Sequence, residues 1–279
     1  MSIFHGLSAA ICFGVADFFA TGATRRIGVI RTLFAVQAIG IVAMIFVLGA
    51  RRESVTGSLA DWAEMAAISV VSLAGVLFLY RSFAIGTLSL VSPIASGFAI
   101  VTAGFALVAG ERPPGLAVAG ALLLVSGVVV VSSTKSNGAA TVCGIPEAIG
   151  AAACFGFYFW ALGELTPKLG VYWPVFVTRL VEMILAGAYL MWRPTIAMPS
   201  ETRKSVALPL IAAGLFDTAA LVTFNLGVDS TYTTTTTALT SLYSAVTVLL
   251  AWLLLRERLA RQQWAGVAVV LAGVVLVSF

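Results

Sequence analysis

Ala9-Ala10-Ile11-Cys12-Phe13-Gly14, near the start of the chain, returns as Ala151-Ala152-Ala153-Cys154-Phe155-Gly156 just past its middle. Working outward, the match extends to Gly28-Val29 and Gly170-Val171. A second match joins residues 111–132 to residues 257–278, with Glu111-Arg112, Ala119-Gly120, Gly127-Val128-Val129 and Val131-Ser132 answering Glu257-Arg258, Ala265-Gly266, Gly273-Val274-Val275 and Val277-Ser278. Between them Phe83 and Gly86 correspond to Phe224 and Gly227. One unit is used twice, and in a membrane protein that constrains mechanism more than any single residue does.

The sequence around these motifs is apolar. Apolar residues make up 60% of the chain and charged residues 10%, too few to clothe a soluble domain of ordinary polarity. Runs of about 17–25 residues, enough to cross about 30 Å of hydrocarbon, recur along it. They fall at 3–22, 31–49, 64–85, 88–109, 115–132, 145–165, 172–192, 207–227, 233–255 and 263–279. Backbone groups in lipid must be satisfied within the segment, and the runs lack the alternation of a barrel. The expected fold is an all-α integral membrane protein of ten transmembrane helices. Its two five-helix repeats span 1–134 and 145–279. An odd number of crossings starts the second repeat on the opposite side, so the halves are expected to be inverted. The first run is long and no Lys or Arg precedes it, unlike a cleavable signal peptide.

Orientation follows from loop charge. One side carries Arg25, Arg26, Arg31, Lys135, Arg193, Arg203, Lys204, Arg256, Arg258 and Arg261; the other carries Arg51, Arg52, Arg112 and Lys168. The richer side is assigned to the cytoplasm of a bacterial-type inner membrane, which places both termini on the non-cytoplasmic side. The net charge of +4 comes from these loops and is no nucleic-acid signal, because no soluble domain presents a basic face. Cys12, Cys143 and Cys154 have neither metal nor redox spacing. The Glu-Arg pairs end the fourth and ninth spans and read as helix termini with salt-bridging turns. The Gly-rich fifth and tenth spans behind them read as scaffold.

The pattern as a whole resembles the EamA group of the drug/metabolite transporter superfamily. The features carrying the resemblance are ten short spans from a five-span duplication, the small-Cys-Phe-Gly openings and the Glu-Arg, spacer, Gly-rich closings. The resemblance covers the whole chain. It implies a basket of helices around a central cavity lined by spans one, three, four, six, eight and nine, with five and ten peripheral. It also implies a carrier, often an exporter of amino acids, other metabolites or drugs, and in several relatives a proton-driven one. This chain departs from a frequent family pattern in two places: Gly14 stands where a first-span Trp is common, and only the fourth span has its proline, Pro93.

Ionisable groups inside a span cost about 2.5–3.5 kcal/mol on insertion scales, so each needs a reason. Asp17 shares a face with Phe13, Gly14 and Ala20-Thr21 and suits proton coupling or an ammonium group. Packing against a basic residue or helix end is the bland alternative. Asp217, beside Thr218, sits near the middle of the eighth span, the depth at which carriers of this design hold substrate. Arg179 and Glu182, three apart in the seventh span, read as an internal ion pair away from the cavity. Arg81 and Glu164 lie nearer span ends, where side chains can reach water.

The ninth span carries a stripe of Thr236, Thr240, Tyr243 or Ser244, and Thr247, read as cavity lining, although threonine hydroxyls can bond back to their own helix. Ser92, Pro93 and Ser96 lie together in the fourth span, where proline can bend the helix and free a carbonyl. Tyr80, Phe98, Tyr158, Trp160 and Tyr243 offer aromatic walls for an amphipathic or cationic ligand. Trp62, Trp173, Trp192 and Trp264 fall at span ends, as interfacial anchors do.

The expected substrate site is therefore Asp17, Tyr80, Ser92, Ser96, Tyr158, Trp160, Asp217, Thr240 and Tyr243, with Asp17 and Asp217 as ion-coupling candidates. No Gly-x-x-x-x-Gly-Lys-[Ser/Thr] loop is present to use ATP, and no cofactor is called for. The lone histidine, His5, and the lack of a ligand cluster or nucleophile elbow argue against an enzyme and a metal. A duplicated carrier fits better than a channel, which needs a filter or oligomeric symmetry. The expected function is a secondary transporter, working as a monomer in membrane lipid with protons as the natural driving ion. It would export small metabolites, amino acids foremost. A drug-like organic-cation exporter and an importer of the same fold are the alternatives.

Overall fold

The computed structural model describes residues 2–110, 143–193, 200–230, 233–257 and 261–277, with 119, 120, 123, 126 and 127 besides. The elements in them are helical: α1 (Ser2–Ile27), α2 (Val29–Arg51), α3 (Leu59–Ile85), α4 (Leu88–Ala95), α5 (Phe98–Val108), α6 (Ile145–Leu169), α7 (Trp173–Trp192), α8 (Ser200–Ser230), α9 (Thr233–Ser241), α10 (Tyr243–Leu250) and α11 (Arg261–Val277). A π-helical turn, Ala251–Leu255, follows α10. Among the described residues, eight stretches are long and apolar enough to cross a membrane, α4–α5 and α9–α10 with its π turn each counting once. At the expected tenth span, α11 is a shorter helix of 17 residues. The expected fifth span, apart from the isolated positions above, and Glu111-Arg112 lie outside the described residues.

Local sequence explains the ends of these helices. Gly28 and Gly170, matched in the duplication, follow α1 and α6 with φ of 84° and 83°, a region that only glycine enters without strain. Ser58 opens α3 with a capping box: its hydroxyl accepts from the Asp61 N–H at 3.2 Å, and the Asp61 carboxylate accepts from the Ser58 N–H at 2.8 Å.

The fourth and ninth spans break at matching positions. Gly97 N–H donates to the Ile94 carbonyl at 3.0 Å, and Leu242 N–H to Leu239 at 3.3 Å, each bond spanning three residues. Ser96 and Ser241 hydroxyls each donate to the carbonyl three residues back, Pro93 or Ala238, at 2.7 Å. The break therefore does not require Pro93, which has no counterpart in the ninth span. What the two share is a serine competing for a helix carbonyl beside a tight turn.

The main packing runs between the halves. α1 lies along α8, α3 along α6 and α2 along α7, while α9 and α10 pack on α1 as α4 and α5 pack on α6. Apolar burial does not drive association in lipid, so close contact must come from small residues and hydrogen bonds. Gly14 and Gly156 supply two matched close approaches. A Cβ on Gly14 would stand 2.7 Å from the Tyr243 carbonyl oxygen, and one on Gly156 would stand 2.9 Å from that of Phe98. Thr102 completes one crossing by donating to the Gly156 carbonyl at 2.9 Å; at the other, Thr247 shares its proton between the Tyr243 carbonyl of its own helix at 3.1 Å and the Gly14 carbonyl at 3.4 Å.

Two clasps tie the halves at opposite ends of α2. At one, the Glu257 carboxylate accepts from Leu88 N–H at 3.1 Å, Ser89 N–H at 2.9 Å and the Ser89 hydroxyl at 2.8 Å. It thereby caps α4, whose own N-cap residue Thr87 makes no side-chain cap. Arg25 joins it at 3.5 Å and donates to the Phe83 and Gly86 carbonyls. At the other clasp, the Glu53 carboxylate accepts from Val171 and Tyr172 N–H at 2.9 and 3.1 Å, and Trp173 Nε1 donates to the Glu53 carbonyl. Phe46, Val108, Met191, Trp192 and Leu208 are exposed, as lipid-facing side chains are.

Candidate functional site

The helices line a cavity with about 660 Å³ of atom-free space, its open mouth included. α1 contributes Phe13, Ala16 and Asp17; α3 contributes Ser72, Val76, Leu79 and Tyr80; α6 contributes Phe155, Tyr158 and Phe159. α7 adds Thr178, Arg179 and Glu182, α8 adds Asp217 and Leu221, and Phe98 and Tyr243 come from the starts of α5 and α10. Phe98 and Tyr243 stand just past the two breaks and stack on each other, centroids 6.1 Å apart and planes 18° from parallel. Phe13 extends this wall by edge contacts with Tyr243 and Phe159, and Phe159 by a tilted contact with Phe98. The breaks therefore aim two matched aromatic rings into the space between the halves.

The polar side of the cavity is organised by Arg179, which is 1% exposed. Its Nη1 donates to Asp217 Oδ2 at 2.5 Å and to Gln37 Oε1 at 2.6 Å. The Gln37 amide nitrogen donates in turn to Glu182. A buried ion pair is held only when its remaining protons and lone pairs are also satisfied, and Gln37 links the guanidinium to the second carboxylate. Arg179 Nε and Nη2, Glu182 Oε1 and Asp17 Oδ2 are buried with no hydrogen-bond partner. Tyr158 and Ser69 hydroxyls meet Thr178 at 3.0 and 3.3 Å, fixing the wall behind the charges.

Of the residues expected from sequence, Asp17, Tyr80, Tyr158, Asp217 and Tyr243 come together in this cavity. Ser92, Ser96, Trp160 and Thr240 do not line it. Ser92 and Thr240 are buried in the helical segments before the breaks, and the Ser96 hydroxyl is committed to its own helix. Trp160 is two residues from Tyr158, which turns it to the other side of α6, where it stacks on Phe105 at 5.4 Å.

The expected Arg179–Glu182 ion pair is corrected. Arg179 pairs with Asp217, Gln37 intervenes before Glu182, and the seventh span belongs to the cavity wall. The three-residue spacing did place both groups on one face, but that face turns inward. Arg81 pairs with Glu147 at 3.1 Å across α3 and α6. Gln37 carries no charge, so the pattern of ionisable groups does not point to it. Its signal was an amide within the apolar second span. Among the described residues, no three His, Cys, Asp or Glu side chains gather as a metal site.

Membrane-length helices lining a central cavity of aromatic and charged side chains describe a multi-pass membrane protein. The model of the EamA-like transporter family matches the chain twice, over residues 1–133 and 143–279, and the chain belongs to that family. Among solved structures, one described only as "Crystal structure of protein" superposes with a TM-score of 0.74 at 18% identity, covering 99% of this chain and 95% of that one. At that identity the likeness concerns the fold alone. A search of curated proteins finds no match.

Proposed function

We propose that this chain is a secondary active transporter exporting a small organic metabolite, an amino acid or related amphipathic compound, across a bacterial-type inner membrane. The observation that carries this reading is the cavity between the halves, where aromatic rings and buried, partly unpartnered charges meet. The machine is read as ten spans in two inverted five-helix repeats, 1–134 and 145–279, with both termini outside. Recurrence of the same glycine crossings, threonine bonds and helix breaks in the two halves supports that arrangement. The repeats would rock about the cavity to expose it alternately to the two sides. Protons are the proposed driving ion, with Asp17 and Asp217 as the coupling carboxylates. The chain is read as working alone in the membrane, without nucleic acid or cofactor.

An organic-cation exporter is the second reading. Three carboxyl groups, Asp17, Glu182 and Asp217, face one guanidinium in an aromatic cavity, which favours positive ligands. Import is the same cycle run in the other direction. The test is flux of radiolabelled amino acids, amines and sugars into proteoliposomes holding the purified protein. Saturable uptake with counterflow is expected. Flux that rises linearly with concentration for every compound would remove the carrier reading.

A further inference from the structure

Arg179 presents a complete recognition edge that the protein leaves unused. Asp217 and Gln37 both sit on Nη1. The opposite edge, Nε–H with the syn N–H of Nη2, is the pair of parallel donors that grips a carboxylate bidentately. Both atoms are buried and without a partner. A guanidinium withdrawn from water with a full fork unsatisfied carries a desolvation penalty that a carboxylate ligand would relieve. Gly40 lets α2 pack closely on this side chain, since a Cβ there would stand 3.1 Å from Arg179 Cδ and 3.2 Å from Nε. In the same cavity, Asp17 is 6% exposed and its Oδ2 has no partner, although a carboxylate can accept several hydrogen bonds.

We propose that the Nε–Nη2 edge of Arg179 is a carboxylate-binding subsite and that Asp17 receives the ammonium group of the same ligand, so the cargo is a zwitterion rather than a bare cation. This rests on the reading of the cavity as the carrier's binding site. Gln37 is a positioning residue here. Accepting from Arg179 and donating to Glu182, it holds the guanidinium so that Nη1 is occupied and Nε and Nη2 are left without partners.

The test is thermal unfolding and equilibrium binding of the purified full-length protein in detergent. Each natural amino acid is compared with its amide, its decarboxylated amine and its deaminated acid; for phenylalanine these are phenylalaninamide, phenethylamine and 3-phenylpropionate. At least one amino acid is expected to bind tenfold or more tighter than all three of its partial analogues. An amide or amine that matches its amino acid overturns the carboxylate subsite while leaving the carrier reading in place, and a deaminated acid that matches overturns the role of Asp17. Binding by no compound of the set overturns this inference, while the carrier reading is decided by the flux experiment. Arg179→Lys retains the charge but not the fork, and the amino-acid-to-amide ratio is expected to fall to within threefold of one. An unchanged ratio overturns the proposal. If that variant does not fold, the comparison of ligands on the unaltered protein still decides.

Discussion

Asp217 and Arg179 show why one polar contact in a membrane protein is not equivalent to another. Their side chains are 22% and 2% exposed, whereas those of Arg81 and Glu147 are 66% and 19% exposed. Asp217→Ala leaves the buried guanidinium with only Gln37 for a partner. It is expected to cost about 3 kcal/mol, the lower end for breaking a buried pair, because Asp217 is partly open to the cavity. Arg81→Ala breaks an exposed pair and is expected to cost less than about 1 kcal/mol. Chemical unfolding of both variants in the same detergent checks the contrast, and equal losses would refute it. Asp17→Asn is expected to abolish the response of flux to an imposed pH gradient while the protein stays folded. Proteoliposome uptake with and without the gradient reads this directly, and a retained response removes Asp17 from coupling. Asp17 and Asp217 were legible in the sequence because a charge in an apolar run is conspicuous. Gln37 was not, since an uncharged amide becomes informative only when its two partners on α7 are seen.

The breaks in the fourth and ninth spans invite a comparison between elements. Sequence pointed to Pro93 as the agent of bending, and the ninth span bends at the matching place without a proline. Pro93→Ala is accordingly expected to leave transport competence intact and to shift stability by no more than about 1 kcal/mol, because the Ser96 bond and the turn at Gly97 remain. Gly156→Val is expected to be far worse. Its side chain would meet Val101 and the Phe98 carbonyl, and overpacking of that kind costs about 1–3 kcal/mol even where neighbours can yield. Fluorescence-detected size exclusion during heating would rank the two variants, and the reverse order would contradict this account. The positions of the eight membrane-length spans were readable from apolar length. The breaks were not, because the serine bonds that mark them look like ordinary helix residues in sequence.

For the whole molecule, an inverted arrangement makes a topological prediction. Loop charge assigns Ser54 to the non-cytoplasmic side and Ser200 to the cytoplasm. In a cysteine-free background, Ser54→Cys is expected to react with a membrane-impermeant maleimide on intact cells, and Ser200→Cys only after permeabilisation. Labelling of both from one side would overturn the orientation. The duplication announced two like halves in sequence, but not that each packs chiefly on the other. Matched glycines carry no information about their partner until the crossing is seen.

That interleaving has a consequence for biogenesis. α1 finds its principal neighbour in α8 and α3 finds its own in α6, so the first half leaves the ribosome with its main contact surfaces vacant. The early helices must be held individually in the bilayer until most of the later ones arrive. Contacts so distant in sequence delay productive assembly. By this packing the chain is expected to behave as an obligate dimer whose two subunits are covalently joined. Cut between residues 134 and 145, neither fragment should persist alone, and co-expression of both should restore the carrier.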